Sequence, residues 1–461
     1  MFFGRVHRFI PRVVTCIFAL ASIAACNPAS QSSASPKQDN PLSSKPRLAK
    51  NLIRVEFDHR IKPVTHVASG ALYGVVEHIP EDLQQLVTPL QPSTYLQPAL
   101  AGKDAQQPYG NAVAVAERLT NVSDAKVTIR LADVLPGWPY EWTNWQQWQS
   151  KVMQVINSRQ HSNSNNYYGY EIWNEPDVTW QAKNGQFNRD VWLKTYQLLK
   201  QHDPQQAIIG PSFAVYEQQK MREFLLFCKQ YNCLPDVISW HQLQGVESVA
   251  TNVANYRATE KELGIAAKRL SINEYSHDTH EYEGAPGVSV PFIAKFERHG
   301  VESANISWWF PALPGRLGSL LTANNQKNGG WWLYKWYGDM QGDMVKTVPP
   351  DDNSDGLDAF ANIDLLNNSA SIVLGGNFTG TASVNISGLP QAFGDTILVK
   401  TEHVVWDSKE SPVNQTITDS VKTYDIEQGE IKLDVVVENA LWGYRLQLTP
   451  QKNTNLHNVR S

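Results

Sequence analysis

Two glutamates follow asparagines where the sequence predicts the ends of two β-strands. The segment "YEIWNEP" carries Asn174 and Glu175, and the segment "LSINEY", further along the chain, carries Asn273 and Glu274. Several polar residues in succession are unusual in a core strand, because charged and amide side chains are seldom buried without a partner. Such a cluster at a strand end therefore indicates either a functional site or a buried ion pair.

Two carboxyl groups that face each other across a cleft can hydrolyse a glycosidic bond. One must stay protonated to deliver a proton to the departing oxygen. The other must be ionised to attack the anomeric carbon or to activate water. An amide beside the acid can hydrogen-bond the sugar hydroxyl at C2, a contact that strengthens in the transition state. Glu175, Glu274 and Asn174 are therefore candidate residues for glycoside hydrolysis.

The elements that must position these residues alternate between short apolar strands and amphipathic helices from about residue 70 to residue 340. Strands are predicted at 70–76, 95–102, 126–134, 168–175, 207–212, 236–241, 269–275 and 303–310. Eight strand–helix units without a glycine-rich phosphate loop predict an α/β fold, a (β/α)8 TIM barrel, rather than a dinucleotide-binding sheet. Active sites of such barrels lie at the C-terminal ends of the strands, where both glutamates are expected.

Local patterns within these units predict two further details. Thr143, three residues before Gln146, predicts a capping box at the start of a helix. Strict alternation along 269–275 places Glu274 on the same strand face as Leu270 and Ile272.

The pattern changes after about residue 341 to alternating strands separated by Gly, Asn, Asp and Pro, which predicts an all-β sandwich. The predicted domains are a signal peptide at 1–25, a Ser/Pro-rich tether at 26–50, a catalytic barrel at 51–340, a sandwich at 341–450 and a tail at 451–461. The alternating run at 51–57 is also a candidate strand of the sandwich.

The N-terminal segment predicts export and attachment to a membrane. Three arginines precede the apolar run at 13–24, which is too short to span a bilayer as a permanent helix. The run ends in "IAAC", which resembles a bacterial lipobox with Cys26 as the lipidated residue; an ordinary signal peptide is the alternative. Because Asn27 is not the aspartate that retains lipoproteins at the inner membrane, the expected location is the bacterial cell envelope, at the outer membrane.

Composition and cysteine usage exclude some partners and leave others open. The net charge is −5 and no long basic run is present, so nucleic acid is not an expected partner. Cys228 and Cys233 are spaced so that they can form a short disulfide outside the reducing cytoplasm. The chain is rich in aromatic residues, with 15 Trp, 17 Tyr and 15 Phe, which suits either a large core or platforms for sugar rings.

The combination of "YEIWNEPD" and "INEY" resembles the clan A retaining glycoside hydrolases, most closely family 39, which includes β-xylosidases, α-iduronidases and exopolysaccharide hydrolases. The resemblance implies Glu175 as acid/base, Glu274 as nucleophile and Asn174 as the partner of the sugar 2-hydroxyl. It also implies that His241 lies near the nucleophile and that Trp309 lies under the reacting sugar. A double displacement of this kind needs no cofactor and no metal.

Further substrate contacts are expected from Arg130, Trp180 and Tyr275, which lie at or after strands 3, 4 and 7 of the predicted barrel. The loop "SHDTHE" could bind a metal, but it lacks the HExxH order and is interpreted as a polar cleft loop. The predicted function is hydrolysis of O-glycosidic bonds in an oligo- or polysaccharide by a monomer. The alternatives are a non-catalytic glycan-binding lipoprotein and a transglycosylase on the same scaffold.

Overall fold

Residues 49–307 and 315–451 are described by a computed structural model, and they form a closed barrel followed by a large sheet. The strands, numbered in chain order, are β1 Leu52–Pro63, β2 Gly70–Leu72, β3 Thr94–Pro98, β4 Lys126–Arg130, β5 Tyr167–Glu171, β6 Ala207–Phe213, β7 Val237–Gln242, β8 Arg269–Tyr275, β9 Ser303–Ile306, β10 Asp343–Val348, β11 Asp358–Asp364, β12 Ser369–Gly375, β13 Gly380–Ser387, β14 Thr396–Val404, β15 Ile417–Asp425, β16 Glu430–Val437 and β17 Gly443–Pro450.

The barrel consists of eight parallel strands, β2 to β9, which pair in chain order and close between β9 and β2. Each predicted barrel strand overlaps an observed one, so the prediction of a TIM barrel is confirmed. The helices are α1 Leu83–Leu86, α2 Ala112–Leu119, α3 Trp145–Gln160, α4 Pro176–Thr179, α5 Lys194–His202, α6 Gln218–Gln230, α7 Val249–Glu262, α8 Pro286–Arg298 and α9 Gly329–Gly338, with a π-helical stretch at Phe187–Leu193 leading into α5. None of these helices is both long enough and apolar enough to cross a membrane.

Helix ends follow the sequence signals with one correction. Gly264 and Gly300, each two residues after the end of α7 or α8, adopt the positive φ angles of +60° and +71° that favour glycine at a helix stop. The predicted cap at Thr143 is wrong, because α3 begins one residue later. Asn144 is the N-cap, and its side-chain oxygen accepts a hydrogen bond from the backbone N–H of Gln147 at 3.0 Å.

The C-terminal region forms a nine-stranded, mostly antiparallel sheet in the order β15-β14-β17-β12-β11-β10-β1-β13-β16. Its strands surround a separate apolar core, as expected for the predicted sandwich. The N-terminal strand β1 lies inside this sheet, antiparallel to β10 and parallel to β13. The first described strand therefore belongs to the sandwich, and the barrel follows it in the sequence.

Helix α8 of the barrel packs against strands β10, β11 and β12 of the sheet. Lys295 and Arg298 on this helix reach Asp358 on β11, with N–O distances of 3.0 and 2.6 Å. Lys295 and Asp358 are fully buried, so this ion pair lies within the contact between the barrel and the sandwich.

Cys228, in the last turn of α6, and Cys233, in the loop that follows, lie next to each other. The backbone N–H of Cys233 donates to the carbonyl of Cys228 at 2.9 Å, and both side chains are buried. The structure contains them as free thiols rather than as the disulfide that the spacing allows. A hydrogen bond between the two thiols lowers the pKa of Cys233, whereas burial raises the pKa of Cys228.

Candidate active site

Glu175 lies in a tight turn between β5 and the four-residue helix α4. The strand ends at Glu171, four residues earlier than the sequence pattern indicates. Glu175 itself adopts a left-handed conformation with φ +51°, and its backbone N–H donates to the carbonyl of Ser212 on β6 at 2.9 Å. Non-glycine residues seldom adopt this conformation, and when they do they cluster at functional sites. Here the turn holds the carboxyl at the C-terminal end of the barrel.

Glu274 reaches the same end of the barrel through a β-bulge in β8. Trp240 pairs with Ile272 and His241 pairs with Glu274, so Asn273 has no partner in β7. Because the extra residue shifts the alternation by one position, Glu274 turns towards the barrel interior. The prediction that strict alternation places Glu274 on the face of Leu270 and Ile272 is wrong, because the register shifts by one residue between Ile272 and Glu274.

The two glutamates and His241 converge at the barrel mouth. One carboxylate oxygen from each glutamate and a ring nitrogen of His241 all lie within 4.8 Å of one another. Nδ1 of His241 lies 3.1 Å from Oε1 of Glu175 and 3.7 Å from Oε2 of Glu274. All three side chains are buried. This close approach of single oxygens favours the roughly 5–5.5 Å between carboxyl groups in retaining glycosidases over the roughly 6.5–9.5 Å of inverting ones.

Arg130, at the end of β4, is the counter-ion of this cluster. Its Nη1 lies 2.8 Å from Oε1 of Glu274, and its Nε lies 3.1 Å from Oε1 of Glu171. Glu171 is fully buried and also accepts a hydrogen bond from Nδ2 of Asn273 at 2.7 Å. Glu171 is thus a structural ion-pair partner of Arg130.

Glu175, His241 and Glu274 are also the types of residue that bind metal ions. However, the positive guanidinium of Arg130 already neutralises Glu274. A divalent cation at the same carboxylate would be repelled by this buried charge, so the arrangement is better suited to proton transfer and nucleophilic attack.

The protonation of Glu175 and His241 is coupled through their hydrogen bond. Burial raises the pKa of Glu175, but the hydrogen bond and charge of His241 and the charge of Arg130 outweigh it and lower the pKa. Burial lowers the pKa of His241, but the charges of Glu274 and Glu175 outweigh it and raise the pKa. Because the pKa of Glu175 falls and that of His241 rises, the pH range over which the pair holds one proton becomes wider.

Comparisons with known proteins agree with the barrel fold. No protein-family model matches the chain. Solved structures similar to it include N2152 from Neocallimastix frontalis, which is 46% identical and has a TM-score of 0.86. The match covers 87% of this chain and 99% of N2152. A family 39 glycoside hydrolase from Xanthomonas axonopodis pv. citri is 14% identical, with a TM-score of 0.60, and the match covers 89% of this chain and 99% of that protein. The fold is that of the clan A glycoside hydrolases. The chain belongs to the same family as N2152.

Two curated relatives are glycoside hydrolases. A 3-O-α-D-galactosyl-α-L-arabinofuranosidase from Bifidobacterium longum subsp. longum is 28% identical over 269 residues, which are 55% of this chain and 23% of the relative. A 3-O-β-L-arabinopyranosyl-α-L-arabinofuranosidase from Bifidobacterium pseudocatenulatum is 23% identical over 461 residues, which cover 84% of this chain and 46% of the relative. The chain thus spans less than half the length of these relatives. The resemblance to family 39-like clan A enzymes is confirmed at the level of the fold.

The other predicted substrate contacts have different environments in this barrel. Asn174 is buried beside Glu175, and its Oδ1 accepts no hydrogen bond from the described residues. Trp180 is half-buried among Trp142, Trp173 and Phe187, and its indole N–H donates to the carbonyl of Gly185. Trp309 and the proposed lipidation site Cys26 lie outside the described residues.

One of the predicted contacts, Tyr275, is corrected. Tyr275 does not face the cleft: its ring packs against Phe292 and Phe296 of α8, and its hydroxyl donates to the carbonyl of Ala68 at 2.9 Å. It follows the bulge, so its side chain points into the helix layer. Arg130 uses Nη1 and Nε for carboxylates, and only its Nη2 has no partner among the described residues. Arg130 is thus a counter-ion of the site, and its predicted contact with substrate stays a prediction.

Sequence reasoning missed two buried carboxylates near the site. Asp133 accepts hydrogen bonds from the hydroxyls of Tyr73 and Tyr140 at 2.7 and 2.9 Å, and burial raises its pKa to about 6. Glu283 accepts hydrogen bonds from Ser276 and Ser307, which directly follow β8 and β9, at 3.0 and 2.9 Å. No motif marks either residue, because their partners come from several different loops.

Glu283 also links the barrel to the sandwich. Nδ1 of His280 lies 2.7 Å from one of its oxygens, and Nζ of Lys409, in the loop after β14, lies 3.3 Å from the other. Lys409 also donates to the carbonyl of His280. The loop that follows the Glu274 strand is thus held in place by the sandwich.

Proposed function

We propose that the chain is a retaining glycosidase that hydrolyses α-L-arabinofuranosidic bonds. The observation that carries this proposal is the pair of buried carboxyl groups, Glu175 and Glu274, that approach within 4.8 Å at the C-terminal end of a TIM barrel. The clan A fold and the two curated relatives, both glycoside hydrolases, support it.

The proposed mechanism has two displacements. A carboxylate oxygen of Glu274 attacks the anomeric carbon while the proton shared by Glu175 and His241 moves to the leaving oxygen, which departs as an alcohol. A glycosyl ester on Glu274 remains. Glu175 then takes a proton from a water molecule that attacks the same carbon and releases the free carboxylate of Glu274. Arg130 stabilises that carboxylate before attack and on release.

The proposed sugar at the reacting position is α-L-arabinofuranose, because both curated relatives are named for removal of 3-O-substituted α-L-arabinofuranosyl groups. The disaccharides 3-O-galactosyl-arabinose and 3-O-arabinopyranosyl-arabinose are the first products to look for. The test substrates are an aryl α-L-arabinofuranoside and arabinogalactan, with products identified by chromatography against standards.

Alanine variants of the two glutamates test the assignment. Glu274→Ala should lose turnover of every substrate, and Glu175→Ala should lose roughly 10²- to 10⁴-fold on substrates with poor leaving groups. Added azide should restore turnover of an activated aryl glycoside by Glu175→Ala, since azide needs no general base. Glu223→Ala, on the exposed face of α6, is the control and should match the wild type.

Near-wild-type hydrolysis by either active-site variant would refute the proposal. Transfer products at high acceptor concentration would instead identify a transglycosylase.

We further propose that the protein is exported and lipid-anchored through Cys26 in a bacterial envelope. The apolar run at 13–24 and the "IAAC" segment support this. In a bacterial host the wild type should fractionate with the membranes, and Cys26→Ser should be released into the soluble fraction. Equal distribution of the two proteins would contradict lipidation.

A further inference from the structure

A cavity of about 400 Å³ lies where loops of the barrel mouth meet loops of the sandwich. The barrel contributes Glu247 from the loop after β7, and Asp278 and Tyr282 from the loop after β8. The sandwich contributes Asp355, Asn377 and Leu441. The volume falls within the range of about 300–1,000 Å³ that is typical of small-molecule sites, which often form at domain junctions.

The loops that line this cavity directly continue the strands of the candidate active site. Gly245 follows His241 by four residues, and Asp278 follows Glu274 by four residues. Four residues span at most about 14 Å, so the cavity lies within a few sugar units of the carboxylate pair. The side-chain amide of Gln242 donates to the carbonyl of Gly245 and to Ser248 Oγ, both at 2.7 Å, and so fixes the first of these loops.

The sandwich side of the cavity is held equally firmly. Nδ2 of Asn377 donates to Asp355 at 2.8 Å, and the backbone N–H of Asn377 donates to the carbonyl of Asp355 at 2.9 Å. On the barrel side, the N–H of Gly287 donates to the carbonyl of Leu441 at 2.9 Å. A Cβ at Gly287 would lie 1.9 Å from the carbonyl oxygen of Ala440, so the two domains are in close contact beside the cavity. The cavity is therefore pre-formed rather than a gap between loose domains.

The lining suits a neutral sugar ring. Phe292, Val288 and the half-buried ring of Tyr282 provide an apolar wall, against which the C–H face of a pyranose or furanose can pack. The carboxylates of Glu247, Asp278 and Asp355 are acceptors for sugar hydroxyls. Neither lysine nor arginine is among the lining residues, and His277, the one basic lining side chain, lies 2.7 Å from Asp278. An acidic or sulfated sugar would therefore meet a net negative lining.

We propose that this cavity is a second glycan-binding site, which holds a neutral sugar unit of the substrate away from the bond that is cleaved. This inference rests on the proposed hydrolase function and extends it. It assigns an oligo- or polysaccharide of neutral sugars as the substrate, because a monosaccharide glycoside would not reach from the carboxylate pair into the cavity.

Two variants test the site by comparing long with short substrates. Asn377→Trp should fill the cavity from an exposed position, and Tyr282→Ala should remove its aromatic wall. The ratio of kcat/KM for a neutral arabinogalactan oligosaccharide to kcat/KM for an aryl α-L-arabinofuranoside should fall at least ten-fold in both variants. Val436→Trp, on the exposed outer face of β16, is the control and should keep the wild-type ratio. Thermal melting of each variant shows whether it is folded.

Charge reversal provides an independent readout. Glu247→Lys should lower the same ratio for the neutral oligosaccharide, and should raise at least three-fold the relative turnover of an oligosaccharide that carries a uronic acid. Wild-type ratios in all three cavity variants would overturn the second site while hydrolysis itself still stands. Absence of hydrolysis by the wild-type protein on every arabinofuranoside would overturn the proposed function and this inference together.

Discussion

At the residue scale, the chemistry depends on how one proton is shared between Glu175 and His241. A general acid must carry a proton at working pH, yet the net pKa of Glu175 is lowered by its histidine neighbour. The two observations are compatible because the imidazolium of His241, 3.1 Å away, keeps the proton available to the carboxyl. The resemblance to family 39 places His241 near the nucleophile, and the structure places it even closer to the acid.

We predict that removal of His241 moves the basic limb of the pH–activity profile to lower pH. In the wild type the pair loses its proton as the pH rises through the pKa of His241, which is raised above its ordinary value of 6.5. In His241→Phe the proton is lost at the lower pKa of a carboxyl group, so activity should decline at a lower pH. The measurement is kcat/KM against pH, with His161→Phe, an exposed histidine after α3, as the control. A basic limb that stays in place would show that His241 holds no catalytic proton.

We predict that Arg130 contributes strongly to stability as well as to the site. Arg130→Met leaves Glu171 and Glu274 buried without their counter-ion, which should lower the free energy of unfolding by about 3–5 kcal/mol. The double variant Arg130→Met/Glu171→Met should recover part of this loss, since one unpaired charge is removed. Arg269→Met breaks the exposed pair with Glu302 and should cost no more than about 1 kcal/mol. Denaturant unfolding measures all three, and equal losses for the single and double variants would contradict the ion-pair interpretation.

At the element scale, periodicity predicts which segments become strands but not where a strand is irregular. Eight apolar runs were sufficient to predict the barrel and the end at which Glu175 and Glu274 lie. The alternation rule then failed at β8, because the bulge at Asn273 depends on pairing with β7, a long-range contact that a single strand does not encode. The same shift explains why Tyr275 lies in the helix layer.

The cap of α3 is a second example. Asn144 rather than Thr143 caps this helix, because both residue types suit the position and only the backbone geometry selects one.

The turn between β5 and α4 gives a prediction about backbone strain. At φ +51° a Cβ atom is disfavoured, so Glu175→Gly should be as stable as Glu175→Ala, or more stable by up to about 1 kcal/mol. At Gln154, an exposed position in the middle of α3, the order should reverse, with Ala more stable than Gly by about 0.8–1.0 kcal/mol. Thermal or denaturant unfolding of the four variants measures both differences. An Ala variant that is clearly more stable than Gly at position 175 would rule out a strained turn at the candidate acid.

At the scale of the whole molecule, the sandwich helps to build the candidate site rather than being an appendage. Strand β1 precedes the barrel in sequence but lies between β10 and β13, and Lys409 of the sandwich holds the loop that follows Glu274. The change in periodicity near residue 341 predicts two domains. It does not predict the contact between them, because Lys295, Arg298 and Asp358 come from separate elements that look like ordinary polar positions.

The buried ion pair between the domains leads to a prediction about cooperativity. Asp358→Asn leaves Lys295 and Arg298 without their shared carboxylate, so the free energy of unfolding should fall by about 3–5 kcal/mol. Asp343→Asn, which removes a partly exposed partner of Arg60, should change it by no more than about 1 kcal/mol. Because β1 and α8 tie the sheet to the barrel, tryptophan fluorescence and circular dichroism should report one coincident transition in the wild type and in both variants. Two separate transitions in the wild type would mean that the barrel folds independently, and that the sandwich does not stabilise the loop beside Glu274.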